Sequence, residues 1–122
     1  MLRWAIGAQA GYYLLSALWP LLSMNSFEAV TGPKTDLWLV RLVALLIVVI
    51  GLTLAGAVKA GRLPLEIVAC ALLSCIAFIC VDTIYVFSGV ISKIYLGDAV
   101  VELLLFVAIV IGLIGTKATH QA

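Results

Sequence analysis

Three ionisable residues stand inside otherwise apolar stretches of this chain: Arg41, Asp82 and Glu102. A charged side chain in hydrocarbon costs at least about 2.5–3.5 kcal/mol, so each of them needs a partner, a ligand or a path to water. One arginine and two carboxyl groups can lock helices together as an ion pair, hold a polar ligand or carry a proton. These three residues are therefore the first candidates for a functional site.

Their positions along the apolar stretches predict a common depth. Arg41 follows the start of one stretch by four residues, Asp82 precedes the end of the next by five, and Glu102 follows the start of the last by three. The stretches that contain Arg41 and Glu102 start on the side of the membrane where the stretch that contains Asp82 ends. At 1.5 Å per residue, all three side chains would lie roughly 5–8 Å below the same membrane surface.

Neighbouring residues extend this layer. Tyr85 is three residues after Asp82 and Asp98 is four before Glu102, so each pair is expected to share one helical face. Glu28 is expected in the loop above the layer. The candidate ligand-binding residues are Arg41, Asp82, Tyr85, Asp98, Glu102 and Glu28.

A purely structural explanation of the same residues stays open. Arg41 can extend to the interface, and Glu102 in a first helical turn interacts favourably with the helix dipole. Asp82 is harder to explain in this way, because the dipole disfavours a carboxylate near a helix C-terminus. The layer is either a binding pocket or an ion pair that fixes helix packing.

Other candidate chemistry is weak. The three cysteines, Cys70, Cys75 and Cys80, are five residues apart, so successive ones turn by about 140° around a helix and do not converge. There is no C-x-x-C motif, and His120 stands without neighbouring metal ligands. We expect no catalytic residue, metal or cofactor, and an enzyme is the least favoured class.

The composition places the chain among integral membrane proteins. Of its 122 residues 66% are hydrophobic and 11% are charged, with a net charge of +1. Soluble domains are about half apolar and roughly a quarter charged, so a soluble domain and a disordered chain are excluded. Nucleic acid is excluded as a partner as well, because no basic face is available. Membrane lipid is the expected environment and partner.

Four segments are long enough to cross a bilayer, which needs about 20 apolar residues of helix. They are residues 4–24, 37–58, 65–87 and 99–115, and residues 26–31 are expected to form a short interfacial helix. No linker is long enough for a second domain. The predicted fold is all-α: a single transmembrane domain over residues 1–122, built as a four-helix bundle with short loops.

Polar and small residues indicate how these helices pack. Gln9, Tyr12, Tyr13 and Ser16 give the first helix a polar side that is expected to face inward. Small residues four apart let backbones approach closely, and they favour packing within the bundle, with dimerisation as the alternative. Such pairs are Gly7 and Gly11, Gly51 and Ala55, and Ala108 and Gly112.

The distribution of basic residues predicts the orientation. The two termini and the second loop carry Arg3, Lys59, Arg62 and Lys117, whereas the opposite side carries Lys34, Arg41 and Lys93. The bias is four against three, and the second loop is the shortest. We expect both termini to lie in the cytoplasm.

The stretch from Ser26 to Arg41, SFEAVTGPKTDLWLVR, resembles a segment of small four-helix bacterial membrane proteins that have no assigned activity. The resemblance extends to Asp82-Thr83-Ile84-Tyr85 and to Tyr95-Leu96-Gly97-Asp98. It implies a multi-pass protein of the bacterial inner membrane. It carries over no catalytic residue.

The expected function is non-catalytic binding of a small amphiphile or lipid in a polar pocket near the outer face. One alternative is an accessory or structural subunit of a larger membrane complex, which fits the small size and the lack of soluble domains. Another is a small proton-coupled transporter that acts as a homodimer. The sequence gives no identity for the ligand.

Overall fold

The computed structural model describes residues 2–32 and 36–121, with side chains described up to residue 115. Its described residues form five α-helices and no strand, which confirms the predicted all-α class. The helices are α1 (Leu2–Leu22), α2 (Met24–Thr31), α3 (Leu37–Ala60), α4 (Leu65–Phe87) and α5 (Tyr95–Gln121). Pro33, Lys34 and Thr35, part of the segment that carries the resemblance, lie outside the described residues.

Within the described residues, three helices are long and apolar enough to cross a membrane: Leu37–Ala60, Leu65–Phe87 and Tyr95–Gly115. They correspond to the last three predicted spans, so the chain is a membrane protein. The third predicted span has the bounds of α4, whereas α5 begins four residues before residue 99. Helix α2 lies where the short helix over residues 26–31 was predicted, and it starts two residues earlier.

Backbone chemistry fixes two of these boundaries. Helix α3 ends at Gly61, which adopts a left-handed conformation with φ 71° and donates its N–H to the carbonyl of Val58. Pro64 then precedes the first residue of α4 in an extended conformation, as expected for a residue that cannot donate a backbone hydrogen bond. Asp36 stands at the N-cap of α3, but its side chain makes no capping hydrogen bond.

Helix α1 is the centre of the bundle. It packs along both α3 and α5, and α4 packs along α5, whereas α3 and α4 touch each other only slightly. Two glycines make the close approaches possible. A Cβ at Gly51 of α3 would lie 2.9 Å from Leu14 Cγ, and one at Gly112 of α5 would lie 2.7 Å from the backbone of Leu2. Both contacts join helices of this chain.

The two ends of the bundle differ in packing. The hydrophobic core lies at the end that holds the start of α1 and the turn between α3 and α4. Its buried members are Leu2, Ala5, Ile6, Ala10, Leu54, Val68, Ala71 and Ile109. Toward the other end α3 and α4 are separated, and the space between them and α1 is a cavity.

Candidate functional site

A cavity of about 450 Å³ lies at the end of the bundle opposite the core. Its volume falls within the range of about 300–1,000 Å³ that is typical of small-molecule pockets. All five helices contribute to it. The described lining residues are Tyr12, Ser16, Ala17, Trp19, Pro20, Phe27, Thr31, Leu39, Val40, Val43, Ala44, Ile47, Phe78, Ile94, Tyr95, Asp82 and Asp98.

The wall formed by α3 is entirely apolar. Val40, Val43, Ala44 and Ile47 follow one another at helical spacing and line the cavity on this side together with Leu39. Leu39 and Val43 line the cavity and are nevertheless 41% and 48% exposed. The cavity therefore opens to the surface of the bundle along α3, a helix apolar enough to be surrounded by lipid.

Helix α2 closes the end of the cavity. The indole Nε1 of Trp19 donates a hydrogen bond of 2.9 Å to Ser26 Oγ, and the Trp19 and Phe27 rings meet edge to face at 5.5 Å. Both aromatic residues line the cavity. These contacts fold α2 back against α1, so that the cavity is covered where the bundle would otherwise end.

Carboxyl groups form the polar side of the cavity. Asp82 on α4 is only 4% exposed, and its buried oxygen Oδ2 has no hydrogen-bond partner in the part of the chain that the structure describes. Asp98 on α5 accepts a hydrogen bond from the hydroxyl of Tyr12. Asp82 lies close enough to Asp98 and Glu102 for the three charges to interact. The cavity thus has carboxyl groups on one side, and one Asp82 oxygen among them has no described partner.

A second polar contact lies just behind this surface. Glu102 is 1% exposed, and its Oε2 accepts a hydrogen bond of 3.0 Å from the hydroxyl of Tyr13. The Tyr13 ring packs edge to face on Phe78, with ring centroids 5.5 Å apart. One turn earlier in α1, Gln9 Nε2 donates a hydrogen bond of 3.0 Å to the carbonyl of Ala71. These bonds join α1 to α5 and to α4.

The structure brings together three of the six residues proposed from the sequence. Asp82, Asp98 and Glu102 converge, whereas Arg41 and Tyr85 are exposed and do not line the cavity. A residue three positions along a helix is rotated by about 60°, which is enough to turn Tyr85 away from the face of Asp82. Glu28 is half-buried on α2 and is absent from the described cavity lining.

Sequence reasoning did not assign Tyr12 and Tyr13 to the site, although both bind its carboxyl groups. The available signal was the polar side of the first helix, which was expected to face inward, and both Gln9 and Tyr13 are indeed buried. Polar residues of this kind in an apolar helix need partners on neighbouring helices. The carboxyl groups on α5 are those partners.

The described residues contain no group of three or more His, Cys, Asp and Glu side chains that could hold a metal ion. No family model, curated protein or solved structure matches the chain.

Proposed function

We propose that this chain is a four-span integral membrane protein that binds a small amphiphile or lipid, without catalysis, in the cavity beside Asp82. In this proposal α1 spans the bilayer together with α3, α4 and α5, and α2 lies at the interface. Helix α1 has 21 residues and a length of about 30 Å, which matches the hydrocarbon core. Its packing between α3 and α5 supports the same arrangement.

One observation carries the proposal. A buried polar group without a partner costs about 1–3 kcal/mol, and Asp82 Oδ2 is such a group at the wall of a cavity. Asp82 lines a chamber of about 450 Å³ whose wall along α3 is apolar. An amphiphile has a polar group that can bind Asp82 and an apolar part that can fill the rest of the chamber.

We further propose the inner membrane of a bacterium, with both termini in the cytoplasm. The resemblance of the Ser26–Arg41 segment supports the first statement, and the four-to-three distribution of basic residues supports the second. The cavity would then lie near the outer face, with its opening along α3 directed toward lipid.

Native mass spectrometry of the protein, extracted gently from its own membrane, tests this function. We expect the chain or a homo-oligomer of it to carry a reproducible small extra mass. Stoichiometric larger chains in place of that mass would instead identify an accessory subunit, and the carboxyl groups would then be part of an interface. A chain that carries no extra mass would also contradict the proposal.

Val40→Phe is expected to remove the extra mass while the protein stays folded. Val40 lines the cavity, and a phenyl ring at this position extends into the space that a ligand needs. The matched control is Val49→Phe on the same helix, at a position that is 59% exposed. We expect this control to retain the ligand, with equal helical circular dichroism for both variants. Retention of the extra mass by Val40→Phe would place the ligand outside the cavity.

A further inference from the structure

Carboxyl groups lie on the polar side of the cavity. Asp82 and Asp98 line it with four oxygens, and Glu102 lies just behind them. Tyr12 donates its hydroxyl to Asp98, and Tyr13 donates its hydroxyl to Glu102. Asp82 Oδ2 receives no donor from the described part of the chain. A ligand that satisfies this side of the cavity must therefore bring N–H or O–H groups.

The negative charge on this side of the cavity also favours a ligand that carries a positive charge. Asp82 interacts with two further carboxyl groups, and no lysine or arginine of the described ranges 2–32 and 36–115 lines the cavity. Neighbouring carboxylates repel unless a proton or another cation lies between them. Arg41, the basic residue expected at this depth, is exposed on α3 and does not line the cavity.

Two features distinguish an organic cation from a metal ion. Within the described residues, no set of three acidic, histidine or cysteine side chains has metal-binding geometry. Much of the remaining wall is apolar, with Val40, Val43, Ala44, Ile47 and Phe78 along it. Such walls stabilise a hydrocarbon body and give no ligand to a hydrated ion.

We infer that the cavity binds a lipophilic ammonium ion, with its N–H groups on Asp82 and Asp98 and its hydrocarbon part along α3. The inference rests on the proposed function, whose ligand class it names. The opening along α3 gives such a molecule a direct way in from the lipid. The ammonium group can belong to a free alkylamine or to the headgroup of an aminolipid, since both present the same donors.

The test compares two probes of equal chain length on the purified protein in detergent. We expect n-decylamine to bind at least tenfold more tightly than n-decanol, as measured by isothermal titration calorimetry. Asp82→Asn is expected to reduce decylamine affinity at least tenfold and to leave decanol affinity unchanged. Glu66→Gln, which neutralises an exposed acid on the same helix, is the matched control and is expected to bind decylamine as the native chain does.

The outcomes separate this inference from the function on which it rests. One outcome is that both probes bind equally, that Asp82→Asn leaves both affinities unchanged and that Val40→Phe removes binding. This outcome would contradict the binding of an ammonium ion but would still support a cavity that binds amphiphiles. Binding of neither probe, or binding that Val40→Phe leaves intact, would overturn both. Because Asp98→Asn removes the second proposed contact from a half-buried position, it provides an independent variant should Asp82→Asn fail to fold.

Competition by lipids identifies the source of the ammonium group. Displacement of decylamine by phosphatidylethanolamine but not by phosphatidylglycerol would assign the site to an aminolipid headgroup. Displacement by neither lipid would assign it to a free amine. Equal displacement by both would overturn the inference, because phosphatidylglycerol is anionic and carries no ammonium group.

Discussion

Gly112→Ala is expected to lower the free energy of unfolding by about 1–3 kcal/mol, as an overpacked contact typically does. The added Cβ would lie 2.7 Å from both Cα and N of Leu2 on α1, and 3.2 Å from its Cβ. Backbone atoms cannot rotate away as the end of a side chain can. Helices α1 and α5 must therefore move apart, at the end of the bundle where its core is packed. The thermal midpoint of helical circular dichroism in detergent measures the loss.

Two other glycines provide the comparison. Gly11→Ala adds a Cβ with no atom within 4 Å, so it is expected to leave the midpoint unchanged or to raise it slightly, since alanine favours the helix. Gly51→Ala meets Leu14 Cγ at 2.9 Å, and a smaller loss is expected because a leucine side chain can change its rotamer. A midpoint for Gly112→Ala equal to that of Gly11→Ala would contradict the close approach of α1 and α5.

The helices could be predicted from the sequence because their signal is local. Apolar runs long enough to cross a bilayer, interrupted by Gly61 and Pro64, determine where α3 ends and α4 begins, whatever the helices pack against. The local sequence around a glycine does not determine whether that glycine makes a close contact with another helix. Gly11 and Gly112 both belong to pairs of small residues four apart. Of these two, only Gly112 would place an added Cβ against another helix. That difference depends on the rotation of each helix in the bundle.

The same limit applies to the site. Counting residues from the span ends gives depth, and the proximity of Asp82 and Glu102 agrees with their predicted common depth. Rotation about the helix axis is a second coordinate, and an all-round apolar helix contains little information about it. Arg41 has the predicted depth of Asp82 and Glu102 but is exposed, and Tyr85, which was expected on the face of Asp82, is exposed as well. The polar residues of the first helix, which are expected to face inward, predict the partners of these carboxyl groups better than depth does.

Tyr13→Phe is expected to destabilise the protein by about 1–3 kcal/mol, the cost of leaving a buried polar group without its partner. The substitution removes only the hydroxyl that donates to Glu102 Oε2, at 3.0 Å, and retains the ring that packs on Phe78. Glu102 is 1% exposed, so water cannot replace the lost donor. The thermal midpoint in detergent measures this effect. The Tyr13→Phe, Glu102→Leu double variant should recover much of the loss, because it removes the unsatisfied carboxyl group as well.

Tyr12→Phe is the matched control, since it removes the neighbouring hydroxyl from the same helix. Its acceptor Asp98 is half-buried beside the cavity, where water can reach a carboxyl group. A loss of about 0.6 kcal/mol, typical of an interhelical hydrogen bond in membrane proteins, is therefore expected. The two tyrosines thus have different roles. The hydroxyl of Tyr13 stabilises the packing of α1 against α5 through Glu102, and the hydroxyl of Tyr12 orients Asp98 at the cavity. If Tyr12→Phe cost as much as Tyr13→Phe, the cavity would be closed to water, and its carboxyl groups would belong to the packed interior.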